Sequence, residues 1–229
     1  IPESTLAKII EPWEDALPDN IHLAYLPIPI LGVRLRLSIY GTESQSGTLA
    51  IEREIEALKG YIGDAIYGYG DTSLQETIGN LLMERGSTLA TAESCTGGYV
   101  AHLITSISGS SNYFKGSIVS YHNSVKMNLL KVDEAILQNY GAVSRECVEQ
   151  MAKGALEAVG TDYAVATSGI AGPLGGTPDK PAGSVWVAVA SRMRVVSQLF
   201  QFKASRATNI ERFSSSALNL LRLFILDKI

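Results

Sequence analysis

The stretch Thr88-Leu89-Ala90-Thr91-Ala92-Glu93-Ser94-Cys95-Thr96-Gly97-Gly98 decides the fold. Thr88 to Ala92 reads as a short strand, the paired glycines allow a tight turn, and Gly98 to Ile107 reads as a helix. Strand, glycine-bearing turn and helix are the repeating unit of an α/β sheet, whose ligands bind beyond the carboxyl ends of its strands.

Downstream the alternation continues. Ser117 to Tyr121 predicts a strand, Asn123 to Tyr140 one or two helices closed by Gly141, and Ser144 caps a helix to Val159. Tyr163 to Thr167 predicts another strand. Val185 to Ala190 and Val195 to Phe202 form a hairpin, and an amphipathic helix runs from Thr208 to Leu226. Because a hairpin is antiparallel, the expected domain is a three-layer α/β/α sandwich with a mixed sheet.

Upstream the pattern changes. Ser73 lies three residues before Glu76, the spacing of a capping box, and opens a helix that ends at Gly86; a domain boundary is expected near Asp71, giving domains 1–70 and 71–229. In residues 1–70, Ser4 is positioned to cap a helix through Ile10, with Pro12, Pro18, Pro27 and Pro29 breaking the chain afterwards. Ile21 to Leu26 predicts a strand. Val33, Leu35, Leu37 and Ile39 alternate with Arg34, Arg36, Ser38 and Tyr40, the clearest period-2 signal in the chain. A polar loop from Gly41 to Gly47, a helix over 49–58, and a last strand within Gly60 to Gly70 complete a small α+β unit.

Composition narrows the function classes. The chain has 229 residues, 46% hydrophobic and 18% charged, which is globular rather than disordered. Nineteen basic against 23 acidic residues give a formal charge of −4, which argues against a broad phosphate-neutralising surface, so any anion site must be local. Two cysteines are too few for a disulfide scaffold and suit a reducing compartment. No apolar run approaches the ~20 residues of a membrane span. The expectation is a soluble, cytoplasmic chain with no membrane partner. It does not begin with Met, and is expected to be a processed protein or part of a longer one.

Four turns concentrate hydroxyls and glycines. At Glu93 to Gly98, Ser94 is a candidate nucleophile and the amides of Thr96, Gly97 and Gly98 are candidate oxyanion donors; Ser94 or Thr96 could equally be a helix cap. Cys95 is a rival nucleophile, or a buried structural thiol. At Tyr121-His122-Asn123-Ser124-Val125-Lys126, a lysine kept neutral by burial would accept a serine proton, with Tyr121 orienting or relaying; the alternative is a solvated Lys126 and a core Tyr121. His122 is left structural. Gly109-Ser110-Ser111 would cradle a phosphate or form an ordinary turn. The fourth is the Gly/Pro loop after Thr167-Ser168-Gly169, with Arg206 as a nearby cation for an anionic substrate or an exposed helix-start arginine. No His/Cys cluster, HExxH or Walker-type run points to a metal or nucleotide cofactor.

At these residues the chain resembles the CinA family of competence- and damage-inducible proteins. The resemblance rests on Thr91-Ala92-Glu93-Ser94-Cys95-Thr96-Gly97-Gly98, Gly109-Ser110-Ser111, Tyr121 to Lys126, Gly141-Ala142-Val143-Ser144, and Ser168 to Gly176, in that order. It implies a nicotinamide mononucleotide amidohydrolase of the PncC type, with Ser94 as nucleophile, Lys126 as general base and Tyr121 assisting. Substrate binding would fall to Thr96, Gly97, Gly98, Gly109, Ser110, Ser111, Asn123, Ser168, Gly169 and Arg206, without metal or organic cofactor. It also implies a homodimer, a KH-like identity for residues 1–70, and a preceding molybdopterin-binding-like domain that is associated with ADP-ribose pyrophosphatase activity.

The sequence departs from the family pattern at Lys131, where relatives usually carry Gly, and at Ala204, where Gly followed by an acidic residue is common; the second bears on the aim of Arg206. The rival reading is a non-catalytic nucleotide sensor or interaction module. Nucleic acid is a poor partner, because the Gly-x-x-Gly loop of an RNA-binding KH module is missing, and Arg34 and Arg36 read as a solvated or interdomain face.

Overall fold

The computed structural model describes residues 1–28, 32–41 and 44–229. The chain divides into two compact units, Ile1–Gly70 and Asp71–Ile229.

The first unit is a helix-strand-strand-helix arrangement: α1 (Glu3–Glu14), β1 (Ile21–Ile28), β2 (Gly32–Ile39) and α2 (Ser44–Ile62). The strands pair antiparallel, Ile21 opposite Ile39. Leu6, Ile10 and Trp13 of α1 meet Leu58 and Ile62 of α2 over the apolar face carried by Leu23, Tyr25, Val33, Leu35 and Leu37. The opposite face carries Ala24 beside Arg36 and Leu26 beside Arg34.

Several expectations need correction here. Helix α1 runs through Pro12 and opens after Pro2, with no side-chain cap from Ser4, because burial of Ile10 and Trp13 outweighs the one ladder bond that Pro12 cannot donate. Pro29 lies outside the described residues, as do Thr42 and Glu43 of the expected polar loop. From Ser44 onward that loop is already helix, and Gly47 is buried within it. Gly60 to Gly70 holds no strand: α2 continues to Ile62 and a 3-10 turn follows at Gly63–Ala65, since Leu58, Ile62 and Ile66 keep the helical spacing into the core.

The second unit is a three-layer α/β/α domain. Helix α3 (Leu74–Glu84) starts from the reciprocal capping box of Ser73 and Glu76. The remaining elements are β3 (Leu89–Glu93), α4 (Tyr99–Thr105), β4 (Phe114–Val119), α5 (Asn123–Leu130), α6 (Glu134–Asn139), α7 (Arg145–Val159), β5 (Tyr163–Gly169), β6 (Ser184–Ser191), β7 (Val195–Gln201) and α8 (Arg206–Ile225). The sheet order is β4-β3-β5-β6-β7, parallel through β5 and antiparallel beyond it. The strand expected at Ser117 to Tyr121 begins earlier and ends earlier, because Phe114 pairs with Leu89 and Val119 with Glu93. Tyr121 therefore stands outside it.

Alternation along the strands separates the two faces. Ala90, Ala92, Ala164, Ala166, Ala188 and Ala190 form a carpet of small side chains on which Cys147, Val148, Met151, Ala152 and Ala155 of α7 pack. Helix α8 lies against the same central strands and also meets α3 and α4. Helix α7 also touches α5: a Cβ on Gly154 would stand 1.9 Å from the Leu130 carbonyl oxygen, so the two backbones meet with no room for a side chain.

The crossover through α4 and the crossover through α5 to α7 leave the sheet from neighbouring strands. The carboxyl ends of β3, β4 and β5 thus form a crevice, the usual ligand position in such sheets. Among the described residues no helix is long and apolar enough to cross a membrane.

Candidate active site

Ser94 follows the last residue of β3 and is held by its amide, which donates to the Thr167 carbonyl of β5 at 3.0 Å. Lys126 sits in the first turns of α5, which starts from a His122 cap: the His122 ring accepts from the Ser124 amide at 3.2 Å. The lysine side chain reaches inward and is 1% exposed. Its Nζ stands 3.1 Å from Ser94 Oγ, 2.6 Å from the Ser120 carbonyl oxygen and 3.4 Å from that of Tyr121. Among the described residues no carboxylate pairs with it. Burial disfavours the ammonium and lowers the Lys126 pKa below the ordinary lysine value.

Those three contacts suit either protonation state of the lysine. As the ammonium it donates to all three oxygens; as the neutral amine that burial favours it gives two N–H bonds to the carbonyls, which can only accept, and turns its lone pair to the Ser94 hydroxyl. In the neutral state the Ser94 hydroxyl has an acceptor for its proton beside it.

The turn after Ser94 is organised by a residue that the motif reading passed over. Glu93 is fully buried, and its carboxylate accepts from the amides of Gly98 at 3.0 Å, Val100 at 3.0 Å and Ala101 at 2.8 Å, and from the Thr96 hydroxyl at 2.7 Å. The Thr96 hydroxyl also lies 2.7 Å from that of Thr167. Gly98 turns the chain with φ +101°, where a side chain would be strained. A carboxylate at the end of the otherwise apolar and small strand Leu89 to Ala92 was the available signal, since a buried carboxylate needs several donors.

The expected oxyanion donors shift accordingly. The Gly97 amide is spent on the Ser94 carbonyl at 3.2 Å and the Gly98 amide on Glu93. Among the described residues, the amides of Cys95 and Thr96 make no hydrogen bond to another residue. Cys95 is itself buried, and burial pushes its thiol to about 12, which disfavours the reactive thiolate. Burial likewise raises Cys147, to about 11.

The rim is formed by Tyr121 and Arg206. Tyr121 is 62% exposed and its hydroxyl pairs with Arg206 Nη2 at 3.1 Å, rather than with Ser94 or Lys126. Arg206 Nη1 donates to the Gly172 carbonyl at 3.1 Å. Ala204, two residues before Arg206, joins the same network through its main chain. Its carbonyl accepts from Asn209 Nδ2 at 3.0 Å, and the same amide group donates to the Ala171 carbonyl at 3.0 Å. Asn209, buried on α8, thereby ties together the two segments that hold the guanidinium; only its place among the first-turn residues of α8 hinted at this. Asn123 is exposed at the start of α5, beside Tyr121 in sequence, and Gly169 ends β5.

Of the other expected phosphate ligands, Ser168 stands at the carboxyl end of β5 beside Thr167, and the Gly109 to Ser111 segment lies elsewhere. Ser168 is buried and donates to the Ala142 carbonyl at 2.7 Å, which fixes the Gly141 to Ser144 segment. Gly109, Ser110 and Ser111 precede β4, whose first residue pairs with the first residue of β3. They are thus at the opposite end of the sheet, about 16 Å of strand away from Ser94. Among the described residues no cluster of His, Cys, Asp or Glu is arranged to hold a metal ion.

The fold and this crevice define a class: a mixed-sheet α/β domain with a buried lysine beside a half-buried serine at the strand ends. Residues 71–225 match the family described as the CinA C-terminal domain, and the chain belongs to the CinA family. A CinA-like protein of Chloroherpeton thalassium is 46% identical over 226 residues, 97% of this chain and 54% of the relative. That of Cytophaga hutchinsonii is 42% identical over 220 residues, 96% of this chain and 52% of the relative. The chain thus spans about half the length of the curated relatives it matches.

Among solved structures, the competence/damage inducible protein CihA of Agrobacterium tumefaciens is 37% identical with a TM-score of 0.64, covering 65% of this chain and 92% of its own. A CinA superfamily protein of Escherichia coli is 30% identical with a TM-score of 0.63, covering 71% and 98%.

Proposed function

We propose that the second unit hydrolyses the carboxamide of nicotinamide mononucleotide to nicotinic acid mononucleotide and ammonia. The observation that carries this reading is the buried Lys126 Nζ, 3.1 Å from Ser94 Oγ and without a carboxylate partner among the described residues. Ser94 Oγ attacks the carboxamide carbon and its proton passes to the Lys126 lone pair. The oxygen of the tetrahedral adduct takes the free amides of Cys95 and Thr96. Lys126 returns the proton to the departing nitrogen, the C–N bond breaks and ammonia leaves. A water then loses its proton to Lys126 and attacks the acyl ester, and the Ser94 hydroxyl is restored as that bond breaks.

The substrate phosphate binds Arg206, whose guanidinium is aimed by Gly172 and Tyr121 and has no carboxylate partner among the described residues. Tyr121 is a binding residue in this scheme rather than a proton relay. Residues 1–70 fit a KH-like module, and the chain fits one part of a longer, dimeric cytoplasmic protein with a molybdopterin-binding-like domain ahead of it.

The test is ammonia release from the mononucleotide, the riboside, the dinucleotide and free nicotinamide. The expected order puts the mononucleotide first. Binding of the mononucleotide without ammonia release would replace the enzyme by a nucleotide sensor.

A further inference from the structure

We infer that Glu93 is the positioning residue of the acylation step: its buried carboxylate holds the Ser94 to Gly98 turn so that the Cys95 and Thr96 amides stay free for the oxyanion. The inference rests on the hydrolase reading above and extends it to a residue that never touches substrate.

From Ser94 to Ala101 the backbone offers eight amides. Ser94 donates to Thr167, Gly97 to Ser94 and Tyr99 to Thr96, while Gly98, Val100 and Ala101 donate to Glu93. Cys95 and Thr96 remain. The division depends on Glu93, because the three amides it accepts start α4 and would otherwise lack partners. The Thr96 hydroxyl, shared between Glu93 and Thr167, stitches the middle of the turn to β5. Thr91 adds a long contact of 3.3 Å from its hydroxyl.

Only a carboxylate suits the place. The donors converge on both of its oxygens, and no cation among the described residues faces it. Glutamine would turn an NH2 group toward at least one amide donor, and aspartate is one methylene short. The turn would then relax by a fraction of an ångström, which matters most to amides that must meet a developing charge. Arg206 is held by Gly172 and Tyr121 rather than by this turn, so ground-state binding through it should be spared.

The experiment compares the full chain with its Glu93→Gln and Thr96→Val variants. Kinetic constants are measured for the mononucleotide, along with thermal melting and the rate at which a fluorophosphonate labels Ser94, followed by intact mass. In the labelling reaction an Oγ–P bond forms, the P–F bond breaks, fluoride leaves and the hydroxyl proton passes to Lys126. The expected result for Glu93→Gln is a ~10–100-fold fall in kcat with KM within ~2-fold, and slower labelling to match. A wild-type kcat, or a loss confined to KM, overturns the inference. If Glu93→Gln fails to fold, Thr96→Val decides by the same split: a lower kcat at unchanged KM supports the inference and an unchanged kcat overturns it. Wild type that labels at Ser94 but releases no ammonia removes the amidase reading; slower labelling in the variants then still supports the role of Glu93, and unchanged labelling overturns it. Wild type inert in both assays overturns both.

Discussion

Lys126 Nζ and Ser94 Oγ meet at 3.1 Å across 32 residues of chain, brought together because β3 ends where α5 begins its descent from the same edge of the sheet. Ser94→Ala and Lys126→Ala should each abolish ammonia release while leaving a cooperative melt. Full activity in either variant would remove the mechanism.

The same lysine sets a pH dependence. Attack needs the neutral amine, so kcat/KM should rise with pH through the Lys126 pKa of the free enzyme, which burial holds below 10.5. Stability has the same sign. The folded pKa is depressed, the unfolded chain binds more protons between the folded value and 10.5, and folding therefore gains as pH rises through that window. Lys126→Met should be inactive yet at least as stable as wild type at pH 7. A melt compared at pH 7 and pH 10 reads both effects, and a Lys126→Met variant that melts well below wild type at pH 7 contradicts the burial cost.

Arg206 gives a different signature. Arg206→Ala should raise KM for the mononucleotide by ~10–100-fold with a small change in kcat, and should leave the riboside, which lacks the phosphate, nearly unaffected. Asn209→Asp should follow in the same direction. Its carboxylate cannot donate to the Ala171 and Ala204 carbonyls, so the two segments holding the guanidinium part. Equal losses for both substrates would sink the phosphate assignment.

Thiol chemistry separates Ser94 from its neighbour. Cys95 and Cys147 are buried with thiols at about 12 and about 11, so iodoacetamide at pH 7.5 should leave the folded enzyme active and its mass unchanged. Inactivation at a single alkylated cysteine would restore Cys95 as the nucleophile.

Lys131 offers a test of stability without function. It closes α5 in the left-handed region, φ 56° and ψ 30°, where glycine carries no steric cost. Lys131→Gly should stabilise the domain by roughly 0.5–1 kcal/mol, despite losing the 2.8 Å contact to the Asn128 carbonyl. Gly154→Ala should do the reverse, by about 1–3 kcal/mol or more, because its methyl meets the Leu130 carbonyl. Chemical denaturation measures both.

The mixed sheet is legible in the sequence because its devices are local. Ser73 and Glu76 make their box within four residues, Ser144 caps α7 directly, and Val185 to Phe202 folds back on itself. The Ser94 and Lys126 motifs are legible too, as turn chemistry at strand ends. What sequence reading misses are long-range partners. Nothing near Tyr121 reveals that its hydroxyl belongs to Arg206, 85 residues away. The position of Gly109 to Ser111 follows from which strand β4 joins and in which direction, a property of the whole sheet. In residues 60–70, glycine and tyrosine content suggests a strand, yet the helical spacing of Leu58, Ile62 and Ile66 prevails.

The backbone contact between Gly154 and Leu130 also bears on redesign. Helix α5 rests on main chain rather than on a side chain that could shrink or swell, so the height of Lys126 above Ser94 has no nearby adjustable part. A library aimed at new carboxamide substrates should leave that helix pair as its fixed datum. Diversity belongs across the crevice, at Tyr121, Arg206 and the Ile170 to Gly183 loop, where the exposed Leu174 shows how much room is open to variation.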